Sequence, residues 1–386
     1  MNLHPRYRRA RRRAAVLALA GVAACAGPRV VPERPALAYR AVERAHSDSA
    51  AALAWAVSLD VDARGNIYLA DRTVVRVLGP DGRLVRSIGR EGLGPGEFIS
   101  VSGVTLLPGD SVSTFDFNNG RLTVFEPGTS RAAYTVNLEQ NQLFPPLRVW
   151  RVRNGRSLVA VYEAAYGTFG GREHGRRNAV VRLLNADGSL VKDSVLAVPE
   201  AQHMILHNPE GMAVTPFGRM TKIAFASHDR MITAWTDSLK FDVYTVEGRH
   251  LKTIRARYSP PRRPILQQER DSLVAWLTSG GWTAAPRVWR ALDELGVTTW
   301  PLIQEVVVDD RDRIWVGITG ARGEPNHWTA FDLDGVRVAE VDLPSNVQLR
   351  RLRGETAWAV ETDENDVPRV VVYDLKPAQT LAMSRR

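Results

Sequence analysis

The chain has 386 residues, 44% of them hydrophobic, which is ample material for a buried core. Its formal charge is +9, from 51 basic and 42 acidic residues. Six of the arginines lie before residue 25 with no acidic residue among them, so the rest of the chain carries 45 basic against 42 acidic residues, a net charge of +3. This near balance excludes the basic footprint expected of a nucleic-acid-binding protein.

The N-terminus has the three-part order of an export signal. A basic stretch through Arg13 precedes an eleven-residue apolar run at 14–24, which suits a signal peptide and is too short to span a bilayer. The run ends in VAAC at 22–25, which resembles the bacterial lipobox, whose cysteine is lipidated. Cys25 is the only cysteine, so an intramolecular disulfide is excluded. The alternative is an ordinary cleaved signal in which Cys25 has no role.

We therefore expect a signal peptide over 1–24, lipid attachment at Cys25 and a tether over 25–35. Ala26 stands where many lipoproteins retained in the inner membrane have aspartate. The predicted location is the outer membrane, with the lipid as the anchor.

Internal repeats indicate the fold. The segment 57–89 contains four alternating apolar runs separated by polar turns such as PDG at 80–82. Four such strands in succession form one blade of a β-propeller. The rhythm returns along the chain, with the second strand of each repeat marked by Ile67, Val112, Leu158, Ile232, Ile314 and Ala357. Their spacings of 45, 46, 74, 82 and 43 residues predict six blades of about 45 residues, two followed by insertions.

The last repeat offers one strand too few. Its strands end near Leu375, and an open sheet edge would promote aggregation. The segment 36–42 precedes the first full repeat and is predicted to supply the missing strand. The predicted propeller domain therefore spans 36–376, and 377–386 is a polar tail.

Two runs carry a resemblance to a known family. GNIYLAD at 65–71 and IGREGLGPGEF at 88–98 resemble the NHL repeat, and more specifically the six-bladed β-propeller lipoproteins of environmental bacteria. The resemblance implies an all-β fold of six four-stranded antiparallel blades. Members of that family largely lack an assigned activity, so the resemblance implies little about function.

A helical hairpin is predicted over 264–298, between blades four and five, because apolar residues recur there at helical spacing. It carries Trp276, Trp282 and Trp289, and Trp300 follows it. These tryptophans either form a lid over the mouth of the central channel or attach the hairpin to the side of the propeller, and packing is the commoner role of tryptophan.

Two further segments interrupt the rhythm. The glycine-rich stretch 163–177 is interpreted as a mobile loop, and 199–217 as an irregular region that holds His203 and His207. His228 is the one histidine predicted to lie close to an inner strand. Asp71 and Asp116 occupy equivalent blade positions, where aspartate more often caps a turn than binds a metal.

The leading hypothesis is a non-enzymatic binding or scaffold module of the cell envelope, monomeric, with a protein, peptide or glycan ligand and no nucleic acid. Candidate binding residues are Trp276, Trp282, Trp289, His203, His207 and His228. No cofactor is predicted. The alternative is a lactonase-like, metal-dependent hydrolase or lyase with calcium or zinc in the central channel, although three channel histidines cannot be assembled from the sequence.

Overall fold

The computed structural model describes residues 36–138, 145–152, 155–163, 175–206, 211–279, 285–321 and 323–378. The predicted signal peptide, the tether with Cys25, and the candidate residues His207 and Trp282 lie outside these residues. The described part begins with strand β1 (Leu37–His46).

Four sheets follow one another along the chain, each a series of antiparallel hairpins. The first contains β2 (Ala56–Val61), β3 (Ile67–Asp71), β4 (Val74–Leu78) and β5 (Leu84–Ile88). A short parallel pair, β6 (Arg90–Glu91) and β7 (Glu97–Phe98), leads to the second sheet. That sheet contains β8 (Val101–Leu106), β9 (Val112–Asp116), β10 (Arg121–Phe125) and β11 (Ala132–Asn137).

The third sheet has five strands, where the repeat predicted four. They are β12 (Arg148–Val152), β13 (Ser157–Glu163), β14 (Gly175–Asn185), β15 (Leu190–Leu206) and β16 (Gly211–Val214). The prediction of an irregular region over 199–217 is wrong for 199–206 and 211–214, because β15 continues past Pro199 with a register shift between Pro199 and Ala201 and then pairs with β16. The fourth sheet contains β17 (Thr221–Ala226), β18 (Arg230–Trp235), β19 (Lys240–Thr245) and β20 (His250–Arg255).

The remaining strands form one eight-stranded sheet made of two meanders. One meander is β21 (Ile303–Val308), β22 (Ile314–Ile318), β23 (Asn326–Phe331) and β24 (Arg337–Leu343). The other is β25 (Val347–Arg353), β26 (Thr356–Thr362) and β27 (Pro368–Pro377), completed by β1. Strand β1 pairs antiparallel with β27 and parallel with β24. The prediction that the leader segment completes the last repeat is confirmed.

The predicted strand markers form the core of each sheet. Ile67, Val112, Leu158, Ile232, Ile314 and Ala357 lie in β3, β9, β13, β18, β22 and β26, and all are buried. Gly82 shows why the turns between strands carry glycine. Its φ is +84°, and a Cβ there would lie 1.9 Å from the carbonyl oxygen of His46, so both the turn and the approach of β1 require glycine.

The first strands of the successive meanders contact one another. Strand β2 contacts β8 and β25, β8 contacts β12, and β21 contacts β17 and β25, while β15 of the third sheet contacts β17. Apolar side chains fill the space between neighbouring sheets, as in the aromatic pairs Phe98–Phe125, Trp150–Phe225 and Phe241–Phe331. The all-β class and the blade-like sheets of a β-propeller are therefore confirmed.

Two helices lie within the predicted hairpin segment, between the fourth sheet and β21. They are α1 (Gln267–Ser279) and α2 (Ala285–Glu294). Their buried face, which includes Leu277, Val288 and Leu292, packs on Met204 near the end of β15. The hairpin is thus fixed to the extension of the third sheet. Among the described residues, no helix is long and apolar enough to span a membrane.

Candidate binding site at the channel mouth

A cavity of about 700 Å³ opens where β17, β21 and β25 begin. These three strands contact one another in order, β17 with β21 and β21 with β25. Because the blades of a propeller surround a central channel, we call the place of this cavity the channel mouth. Its wall combines charged, amide and aromatic side chains, among them Lys222, Glu305, Arg350, Gln348 and Trp300. A concave surface with few charged groups is the usual form of a ligand site.

The helical hairpin borders the same opening. A second cavity of about 590 Å³ shares Trp300, Gln304 and Asn346 with the first, and its far wall includes Glu269 and Ser272 of α1. The two cavities are therefore adjacent, and helix α1 stands beside the channel mouth.

A partly buried ionic cluster of Arg263, Glu269 and Trp300 holds the hairpin in this position. Glu269 accepts hydrogen bonds from Trp300 Nε1 at 3.0 Å and from the backbone N–H of Leu266 at 3.0 Å, and it forms an ion pair with Arg263. Arg263 also lies over the Trp300 ring, 4.5 Å from its centroid. Burial raises the pKa of Glu269, but these hydrogen bonds and the Arg263 charge outweigh it and hold the pKa below its ordinary value of 4.5.

Inside the first cavity, one carboxylate lies near two cations. Lys222 Nζ donates to Glu305 Oε2 at 3.0 Å, and the backbone N–H of Val306 donates to Glu305 Oε1 at 3.0 Å. Both oxygens of Glu305 are therefore engaged. Arg350 Nη2 donates only to the neutral Gln348 Oε1, at 2.8 Å, and the buried Arg350 Nε has no hydrogen-bond partner among the described residues.

Arg350 reaches this position on a β-bulge. Leu349 pairs with Ala359 and Arg351 with Trp358, so Arg350 is an extra residue without a partner on β26. Similar bulges occur in β2, β8 and β21, where the extra residues are uncharged: Val57, Ser102 and Gln304. Bulges commonly redirect a side chain next to a functional site. Burial lowers the pKa of Arg350, and the opposing Glu305 charge only partly offsets this effect.

Trp276 and Trp289, the two predicted tryptophans among the described residues, do not line the two cavities. Trp276, on α1, is 70% exposed. Trp289 is half-buried against the hairpin core, with Arg270 over its ring at 5.0 Å from the centroid. Trp300, which was not among the predicted binding residues, is the tryptophan that borders both cavities.

His203 and His228, the two predicted histidines among the described residues, are not brought together. His203 is buried on β15, with Nδ1 3.1 Å from the carbonyl oxygen of Ala201 and Nε2 3.6 Å from Glu200. His228 lies in the exposed turn after β17, at φ +57°, with Nδ1 2.8 Å from Ser227 Oγ. The Ala201–Met220 bridge places His203 near the start of β17, so the two side chains lie toward opposite ends of that strand.

Aspartates at the equivalent blade positions act as caps. Asp71 accepts from the backbone N–H groups of Ala54 and Trp55, and Asp116 from those of Ile99 and Ser100. These contacts agree with the turn-capping interpretation. Within the described ranges, no three histidine, cysteine, aspartate or glutamate side chains converge as metal ligands. Glu305, the carboxylate inside the channel cavity, is already paired with Lys222, so this donor set does not fit calcium or zinc.

The sequence reasoning missed Lys222, Glu305 and Arg350. Lys222 in TKIAFA at 221–226 and Glu305 in IQEVVV at 303–308 are charged residues inside largely apolar first strands, and that interruption is the signal that could have identified them. Arg350 gives no such signal, because it lies in VQLRRLR at 347–353 with two other arginines. Their convergence could not be found in this way, because Lys222 and Glu305 are 83 residues apart in the chain.

Comparison with known proteins gives a likeness of fold. No family model matches the chain, and neither does any curated protein. A candidate exported protein from Bacteroides fragilis is similar over 89% of this chain and all of its own, with 11% identity and a TM-score of 0.50. Regucalcin from Agrobacterium tumefaciens, a calcium-binding protein, has 12% identity over 89% of this chain and 98% of its own, with a TM-score of 0.49. A member of the DUF4221 family from Bacteroides vulgatus has 9% identity over 88% and 99%, with a TM-score of 0.47. At such identities the likeness concerns the fold alone.

Proposed function

We propose that this chain is an exported, NHL-like β-propeller lipoprotein of six blades that serves as a non-enzymatic binding module. Four separate sheets and the two meanders of the eight-stranded sheet support the number of blades. The ligand, a protein, peptide or glycan, enters the cavity at the channel mouth. The lipid on Cys25 anchors the protein to the outer membrane.

The observation that carries the binding role is the construction of the cavity wall. Hairpin residues Glu269 and Ser272 form part of it. Blades of about 45 residues close a propeller without any such element. Here the hairpin is fixed beside the mouth by the partly buried cluster of Arg263, Glu269 and Trp300. An element that the fold does not need, held rigidly against a polar cavity, is better explained by a ligand than by stability.

Hydrogen–deuterium exchange of the full chain tests the binding role. The probes are a mixture of short peptides and a mixture of oligosaccharides from bacterial envelopes. At least one mixture is expected to protect the segments 300–305 and 345–350, which line the cavity. Ser345→Trp should block the opening and abolish this protection, because Ser345 is exposed and lines both cavities.

Ser130→Trp is the matched control. Ser130 is exposed on the turn between β10 and β11, in the second sheet, and does not line either cavity. This variant should retain the protection. Equal protection in Ser345→Trp, or protection confined to segments away from the mouth, would contradict the proposal.

A further inference from the structure

The charge inside the channel cavity indicates what kind of ligand it takes. Lys222 is 15% exposed and Glu305 33%, and Arg350 is also partly buried, so water screens their charges weakly. These three groups leave one positive charge in excess. Asp366, the other acidic residue in the wall, lies on the exposed turn after β26, where solvent screens it.

The excess positive charge lies on Arg350. Lys222 is satisfied by Glu305, whose second oxygen is held by the Val306 N–H. Arg350 has only the neutral amide oxygen of Gln348, and its Nε is buried without a partner among the described residues. A buried donor left unpaired costs free energy, which an incoming acceptor would recover.

The guanidinium of Arg350 has donors that are not hydrogen-bonded to any described residue, and their geometry indicates which ligand group would pair with them. The planar fork of arginine matches the two oxygens of a carboxylate. A phosphate dianion fits poorly, because a single excess charge would not neutralise it and Glu305 would repel it. Sugar stacking is also limited, because Trp328 is buried, and Trp300 already has Arg263 over its ring and Phe217 at 4.5 Å. We infer that the cavity binds a small ligand through a carboxylate group that pairs with Arg350, with Gln348 orienting the guanidinium. The inference rests on the proposed function and specifies its ligand class.

Isothermal titration of the full chain tests this inference with paired probes. The acids are acetyl-Ala-Ala and D-glucuronate, and their neutral counterparts are acetyl-Ala-Ala-amide and D-glucose. Inorganic phosphate is the fifth probe. We expect at least one acid to bind while its neutral counterpart does not, and the acid that binds identifies a peptide or a sugar as the carrier of the carboxylate. Arg350→Gln should weaken that binding about tenfold or more, through loss of a charged hydrogen-bond pair.

Two variants make the outcome specific. Arg350→Lys keeps the charge but lacks the fork, and should recover only part of the affinity. Arg83→Gln removes one positive charge from an 80% exposed side chain on the turn between β4 and β5, and should bind like the wild type. Circular dichroism melting confirms that each variant is folded.

The results that overturn the inference are distinct from those that overturn the proposed function. Acid binding that is unchanged in Arg350→Gln, equal binding of neutral probes, or tighter binding of phosphate defeats the carboxylate site. If neither acid binds but the exchange experiment still shows protection at the cavity, the inference fails and the binding role stands. Absence of both effects overturns both.

Discussion

Replacing Tyr39 by alanine tests whether β1 closes the gap between β24 and β27. Tyr39 is 7% exposed, pairs with Val341 on one side and Pro377 on the other, and lies in the core shared by both meanders. A buried tyrosine removes at least about 150 Å² from water, which at about 25 cal/mol per Å² gives about 4 kcal/mol. Measured aromatic-to-alanine changes in cores have the same size, about 3–5 kcal/mol.

Urea unfolding followed by circular dichroism measures this cost. Leu37→Ala is the matched control on the same strand, because Leu37 is 46% exposed and its loss should change the free energy of unfolding by about 0.5 kcal/mol or less. If Tyr39→Ala lowers the free energy of unfolding no more than Leu37→Ala, β1 does not carry the closure.

Deleting 36–42 goes further, because it exposes edges of β24 and β27. The truncated chain should lose several kcal/mol of folding stability and self-associate in light scattering. A monomeric truncated chain with unchanged melting would refute the closure.

Three further results are expected. Glu269→Gln should cost about 2 kcal/mol at pH 7, the usual value of hydrogen bonds to a charged group. Because the pKa of Glu269 is lowered in the folded state, the greater stability of the wild type should be complete above about pH 4.5 and be lost as the pH falls through the folded-state pKa. A stability difference that persists in acid would contradict the role of the Glu269 charge in the ionic cluster. Labelled fatty acid should be incorporated by the wild type and not by Cys25→Ser, and an unlabelled wild type would rule out the anchor. Dialysis against a chelator should leave the melting temperature unchanged; one calcium or zinc per chain would instead favour the metal-dependent alternative.

The repeat made the strands predictable because each strand is determined locally. Alternating apolar residues and glycine turns are read within a few residues, so the buried positions Ile67 and Ile314 could be assigned from sequence alone. The pairing of β1 was also predictable, because the last repeat has one strand too few and an unpaired edge is unfavourable in any sheet. The extension of β15 was missed because Pro199 signals a break, and long-range pairing with β14 and β16 together with packing against the hairpin sustains the strand there.

The candidate site was less predictable because it depends on register. Arg350 occurs in the run QLRRLR at 348–353, where alternation puts Arg350 and Arg351 on opposite faces of the strand but does not show which of them faces the cavity. The bulge that releases Arg350 is a property of the pairing between β25 and β26, and a shift of one residue would reverse which arginine faces the cavity. The sequence also left open whether the tryptophans of the hairpin form a lid or pack against the propeller. In the structure, Trp276 on α1 is exposed and Trp289 packs within the hairpin.

The double pairing of β1 also governs the order in which the molecule assembles. Arg44 on β1 contacts Asp374 on β27, 330 residues further along the chain. Strand β1 is therefore synthesised first among the described strands but stays unpaired until β24 and β27 have been synthesised. Loop closure over such a distance must precede any gain from the contacts, which makes long-range β pairing slow. During synthesis, the earlier sheets can form while β1 stays unpaired, so the final step of folding depends on the synthesis of both β24 and β27. A chain interrupted before β24 cannot bury Tyr39, which makes truncated products ready substrates for proteolysis.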